Sequence, residues 1–150
     1  MDKHARILVV DDDESIRNTL KAIFEDEGYI VDLAATGRLA IKRTEEMAYN
    51  VALIDIRLPD MEGVELLKLI KDAVPRTRKI MMTGYPSMQN AITALNKNAD
   101  AYMIKPVDIE KLLSTVKEQL QSQENEREFS EQKVAEFIET RVNELSVAHV

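Results

Sequence analysis

The chain has 150 residues, 45% of them hydrophobic and 31% charged, with a formal net charge of -7. That length fits one domain with a short appendage and a sizeable core, and the acidic balance argues against general nucleic-acid binding, which rests on Lys and Arg neutralising phosphates. The absence of cysteine rules out disulfides and thiolate zinc sites, and with histidine only at His4 and His149 there is little for imidazole ligation or a catalytic triad.

At the N-terminus, Met1 to Arg6 leads into an apolar run of only four residues, Ile7-Leu8-Val9-Val10. This is too short for a signal-peptide core or a membrane span, so a cytoplasmic protein without membrane attachment is expected. The run ends in Asp11-Asp12-Asp13. Ile16, Leu20, Ile23 and Phe24 then fall on one helical face, and Gly28 is placed to stop that helix. A second strand is expected near 29–34, followed by a helix marked by Ala40, Ile41, Thr44 and Met47. The third run, Val51-Ala52-Leu53-Ile54, ends in Asp55. Val64, Leu67 and Ile70 mark a third helix, with Pro75 beyond its end.

The fourth run, Lys79 to Met82, leads into Thr83. Pro86 suits the first turn of a fourth helix carrying Ala91, Ile92 and Leu95, and Asn98 suits a left-handed stop after it. The fifth run, Ala101 to Ile104, leads into Lys105-Pro106. Asp108 is a plausible N-cap for a fifth helix carrying Ile109, Leu112, Leu113, Val116 and Leu120. Strands alternating with helices predict an α/β fold, a doubly wound five-stranded parallel sheet of flavodoxin-like order 2-1-3-4-5 with helices on both faces.

Beyond Leu120 the composition changes. Residues 121–150 hold seven acidic and three basic side chains, a charge of -4. Gln121 to Lys133 is polar apart from Phe129, and apolar spacing returns at Val134, Phe137, Ile138, Val142 and Leu145. The expected division is a domain over 1–122 and an acidic helical extension over 123–150. The extension either continues the fifth helix as a dimerising coil or is a linker and short helix leading to a missing output domain.

Parallel strands place their carboxyl ends on one edge, where open α/β sheets keep their ligand crevice. That edge would gather Asp11, Asp12 and Asp55 with Thr83 and Lys105. Three carboxylates at one point repel, and burying them without a cation is costly. Hard oxygen donors in small number favour Mg²⁺ completed by water and a phosphate oxygen. An aspartate can be the nucleophile that forms an acyl phosphate, with the cation and lysine stabilising the transition state. Asp13 and Glu14 are more economically read as a solvated turn or helix cap.

The string Ile7-Leu8-Val9-Val10-Asp11-Asp12, Asp55 with Leu58-Pro59-Asp60-Met61-Glu62-Gly63, Met82-Thr83-Gly84 and Tyr102-Met103-Ile104-Lys105-Pro106 closely resembles the response-regulator receiver domain of two-component signalling, over roughly residues 5 to 120. The resemblance implies Asp55 as phosphoacceptor, Asp11 and Asp12 on Mg²⁺ with the Arg57 backbone carbonyl, and Thr83 and Lys105 on the phosphoryl oxygens. It also implies a cis peptide at Lys105-Pro106, Tyr102 as an aromatic switch responding to Thr83, and Arg57 and Tyr85 as modulators of the phosphoryl lifetime. The partners implied are a sensor histidine kinase or phosphotransfer protein, with a homodimer through the fourth helix, fifth strand and fifth helix or through the C-terminal helix. Such a protein is not an enzyme in the ordinary sense; its chemistry is its own phosphorylation and dephosphorylation. The alternative is a haloacid-dehalogenase-type phosphatase with Asp11 as nucleophile and Asp13 as acid/base, in which Asp55 has no role.

Overall fold

The computed structural model describes residues 4–84, 87, 93 and 99–148. The expected fourth helix, with Pro86, Ala91, Ile92 and Leu95, lies outside the described residues, as do Tyr85, Asn98 and His149. Five strands, β1 (Arg6–Val10), β2 (Ile30–Ala34), β3 (Val51–Asp55), β4 (Arg78–Thr83) and β5 (Ala101–Ile104), form one sheet. Every neighbouring pair is parallel and the order is β2-β1-β3-β4-β5, as the alternation of patterns requires.

The helices are α1 (Glu14–Asp26), α2 (Gly37–Glu46), α3 (Gly63–Leu69) and α4 (Ile109–Ala148). Successive strand residues point to opposite faces, so the sheet divides the core in two. Ile7, Val9, Leu53, Ile80 and Met82 pack with Leu20 and Phe24 of α1 and Leu112, Val116 and Leu120 of α4. Leu8, Val10, Ala52, Ile54 and Met81 pack on the other side with Ala40 of α2 and Leu66 and Leu67 of α3. Burial on both faces explains why the strands read as continuous apolar runs instead of alternating ones.

Helix ends follow local chemistry. Gly28 follows the C-cap of α1 with φ 94°, a left-handed conformation that glycine adopts without steric penalty. Asp108 accepts from the N–H groups of Glu110 and Lys111 at 3.0 and 3.3 Å and starts α4 as expected. Two expectations are corrected. Met47 is not on the core face of α2: the helix ends at Glu46, and Met47 is an exposed C-cap residue with extended backbone. Ile70 is buried but falls just after α3, as its C-cap.

The polar stretch after Leu120 does not interrupt α4, which runs unbroken for 40 residues. Of the two alternatives for this stretch, the continued helix is the one found. Gln121 to Lys133 contains neither glycine nor proline, and straight-chain polar residues keep helical geometry without needing a buried face.

Candidate functional site at the carboxyl edge of the sheet

The register sets the site. Val10 pairs with Ile54, Asp55 with Met82, and Thr83 with Ile104, so Asp11, Asp55, Thr83 and Lys105 reach the same edge. Asp11 and Thr83 are fully buried and Asp55 is 8% exposed, whereas Asp12 faces solvent. The Lys105 ammonium bridges the two buried carboxylates, at 2.6 Å from Asp11 Oδ2 and 3.2 Å from Asp55 Oδ2. The Lys105 N–H also donates to the Thr83 carbonyl at 2.7 Å, tying the two strand ends together.

Asp11 is further fixed from α1. Its Oδ1 accepts from the Asp13 N–H at 2.9 Å, and its carbonyl accepts from Arg17 Nη1 at 2.8 Å. Asp13 itself caps α1, its Oδ1 accepting from Ile16 N–H at 3.2 Å. The helix-cap reading of Asp13 therefore holds, and the acid/base part required of it in the phosphatase alternative conflicts with that engagement.

The loop after β3 is shaped around Asp55. Its Oδ1 accepts from the Arg57 N–H at 3.3 Å, Arg57 pairs with Glu62 in an isolated antiparallel bridge, and the Gly63 N–H donates to the Ile56 carbonyl at 2.7 Å. A Cβ on Gly63 would lie 2.2 Å from the Asp55 carbonyl oxygen, so glycine lets the chain return this close to Asp55. Asp60 reaches across to α2, accepting from the N–H groups of Gly37 and Arg38 at 2.9 and 3.0 Å. Those two bonds hold its carboxyl below the usual carboxylate range. In the sequence Asp60 and Gly63 stand only as parts of a motif, and the available signal for their roles was an Asp-x-x-Gly following Asp55. Arg17 gave none.

Electrostatically the edge is unbalanced. Burial raises the Asp55 carboxyl above its ordinary range and the neighbouring Asp11 charge adds to this; Lys105 and the Arg57 N–H pull it down without prevailing. Burial alone would lower the Lys105 ammonium, but hydrogen bonding and charge from Asp11, then Asp55, outweigh it and raise it. Both shifts report the same net negative field. Asp11, Asp12 and Asp55 each offer one oxygen, all within 4.8 Å of one another, a donor set that fits a hard divalent cation.

Other expected features are also placed. Lys105-Pro106 is cis, as is Val74-Pro75. Tyr102 is half-buried on β5, its hydroxyl enclosed without a hydrogen-bond partner. The Arg57 side chain, two residues after Asp55, is exposed. No described helix is long and apolar enough to cross a membrane.

The family model described as "Response regulator receiver domain" matches residues 7–117. The transcriptional regulatory protein ZraR of Klebsiella oxytoca is 42% identical over 114 residues, which are 76% of this chain and 26% of that protein. The chain thus spans about a quarter of such relatives. Among solved structures, a CheY-like receiver domain protein from Methanospirillum hungatei JF-1 superposes with a TM-score of 0.76 at 48% identity, covering 82% of this chain and 98% of that one. A response regulator from Burkholderia pseudomallei, solved with a phosphorylated aspartic acid, calcium ion and citrate, has a TM-score of 0.69 at 28% identity, covering 82% of this chain and 72% of that one.

Proposed function

The chain belongs to the response-regulator receiver domain family, the phosphoacceptor module of two-component signalling, and from that premise we propose that Asp55 is the residue that accepts the phosphoryl group. The observation that carries this is the position of Asp55: a buried carboxylate at the end of a central strand, held by Lys105 and the Arg57 N–H beside two further acids. Receiver domains bind a divalent metal at such an acidic pocket, and here Asp11, Asp12, Asp55 and the Arg57 carbonyl would hold Mg²⁺. When bound it supplies the positive charge that the three carboxylates lack.

The protein's own groups do the remainder. An Asp55 carboxylate oxygen attacks phosphorus while the bond to the donor nitrogen of a phosphohistidine, or to the acyl oxygen of a small acyl phosphate, breaks and the donor leaves with its electron pair. Lys105 exchanges its contact with Asp55 for a phosphoryl oxygen and keeps Asp11 in place. Thr83, at the end of the adjacent strand, supplies a hydroxyl to another oxygen. Its movement lets Tyr102 repack, so phosphorylation shifts a population between two arrangements. The exposed Arg57, together with Tyr85, limits access of the attacking water and sets the lifetime of the acyl phosphate.

The donor is a sensor histidine kinase or phosphotransfer protein acting on a cytoplasmic receiver module over 1–122, with 123–150 as its helical extension. The receiver reading leaves no part for a phosphatase built on Asp11 and Asp13. Incubation with Mg²⁺ and acetyl phosphate tests it by intact mass. A labile adduct of one phosphoryl group is expected on wild type, absent from Asp55→Asn and strongly reduced in Asp11→Asn. Steady phosphate release that depends on Asp11 and persists in Asp55→Asn would contradict the assignment.

A further inference from the structure

Two side chains of α4, Gln123 and Glu126, hold the helix to the body where it leaves the sheet. Gln123, 4% exposed, donates from Nε2 to the carbonyls of Asn50 and Arg76 at 3.0 and 2.9 Å and accepts from Asn50 Nδ2 at 3.0 Å. Glu126 accepts from Arg78 Nη2 at 2.5 Å. Val134, eight residues further on, lies about 12 Å along the helix axis from Glu126. There an apolar stripe begins, and Val134, Phe137, Ile138, Val142 and Leu145 are each between 55% and 66% exposed.

We infer that this stripe is an interface with a second copy of the chain, the two α4 helices packing antiparallel about a centre at Glu136. The seam residues Arg127, Glu131, Val134, Ile138, Arg141 and Leu145 recur at alternating intervals of four and three, the a/d spacing of a coiled coil. Charge selects the orientation. A parallel, in-register pair sets Arg127, Glu131 and Arg141 each against its own copy, three like-charge contacts on the seam. The antiparallel pair sets Glu131 against Arg141 of the second copy, twice by symmetry, on either side of a centre where Val134 meets Ile138. Arg127 then lays its aliphatic stem over Leu145. Every contact in this register joins an a position to a d position, so the apolar knobs and the charges agree on one alignment.

The surface available matches a weak dimer. The five apolar side chains offer roughly 500 Å² per helix, so about 1,000 Å² in the pair, near the lower limit for specific association. The seam charges are free to change partners at little cost. Arg127 pairs with Glu124 through two nitrogens and with Glu131 at 3.2 Å, and Arg141 with Glu144 at 3.4 Å, all solvent-exposed pairs within one helix, a type that contributes little. The interface is independent of phosphoryl chemistry at Asp55 and is tested on the unphosphorylated chain.

Sedimentation equilibrium of the 150-residue chain is expected to show reversible monomer–dimer exchange. Arg141→Glu and Glu131→Arg should each weaken the dimer about tenfold or more, since two symmetric attractions become repulsions. The double exchange Glu131→Arg with Arg141→Glu should restore it to within about threefold of wild type, as the reversed pairs re-form. Both positions are exposed, and unchanged helicity and urea midpoints will show that folding is intact. The protein has no cysteine, so orientation can be read by oxidising a mixture of Glu131→Cys and Arg141→Cys chains, which should join mainly to each other. A wild type that stays monomeric, a dimer indifferent to the single variants, a double exchange as weak as the singles, or preferential Glu131→Cys self-pairing would each overturn the inference.

Discussion

Asp55 and Asp100 stand at opposite edges of the same sheet, about equally enclosed, and their carboxyls shift in opposite directions. Burial would raise Asp100 too, but two hydrogen bonds from Arg76 at 2.9 and 2.6 Å, one from the Lys79 N–H at 2.8 Å and the Arg78 charge nearby outweigh it. At this amino edge Arg76 and Arg78 balance Asp100 and Glu126, and Gln123 satisfies Asn50 and the Arg76 carbonyl. At the carboxyl edge, among the described residues, the carboxylates of Asp11, Asp12 and Asp55 face the ammonium of Lys105. Paired charges mark the edge that holds the fold together, although Arg78 Nε there is buried without a hydrogen bond; the deficit of positive charge marks the edge suited to a cation.

Breaking each edge sharpens that contrast. The largest effect is expected from Lys105→Met, which removes the ammonium that bridges Asp11 and Asp55. Leaving fully buried Asp11 without its partner should cost about 3 kcal/mol of stability without metal, measured by urea unfolding. Gly63→Ala should destabilise by about 2 kcal/mol or more, because the added Cβ meets the backbone of Asp55 and Ile56, which cannot swing aside as a side chain can. Its second mark should be slower phosphorylation of Asp55 by acetyl phosphate, since the loop that positions the acceptor has moved. Asp100→Asn follows, at roughly 2 kcal/mol near neutral pH, the pairing being partly exposed through Arg76. Because the folded carboxyl of Asp100 lies below its unfolded value, its contribution is present above the unfolded pKa and lost as pH falls through the folded one. Wild type and variant should therefore converge in acid.

Asp55→Asn should act in the opposite sense. The folded carboxyl of Asp55 lies above its unfolded value, so its charge opposes folding increasingly as pH rises through the folded pKa. The variant should be the more stable protein at neutral pH without metal, by about 1 kcal/mol, and should lose that advantage as pH falls toward the unfolded pKa.

The carboxyl edge was legible in the sequence because four of the five strand runs lead into a residue that carries chemistry, Asp11, Asp55, Thr83 or Lys105, and parallel strands bring those ends together. The pairing at the amino edge was not, since Asn50, Arg76, Asp100 and Gln123 are distant in sequence and follow no periodicity. Asp60 and Gly63 act through the backbone, one on the N–H groups of α2 and one by lacking a Cβ, and neither action leaves a pattern of its own. The unbroken course of α4 was hidden for a different reason: residues 121–133 lie mostly in solvent, and hydrophobic periodicity is silent where a helix buries nothing. Met47 was misplaced because its apolar spacing continued one residue past the helix.

Thermal unfolding at neutral pH with increasing Mg²⁺ tests most directly the claim that the carboxyl edge is the unbalanced one. Wild type should gain stability with metal, Gln123→Ala at the amino edge should gain as much from its lower starting point, and Asp55→Asn should gain clearly less. Equal gains in wild type and Asp55→Asn, or none in wild type, would contradict the account.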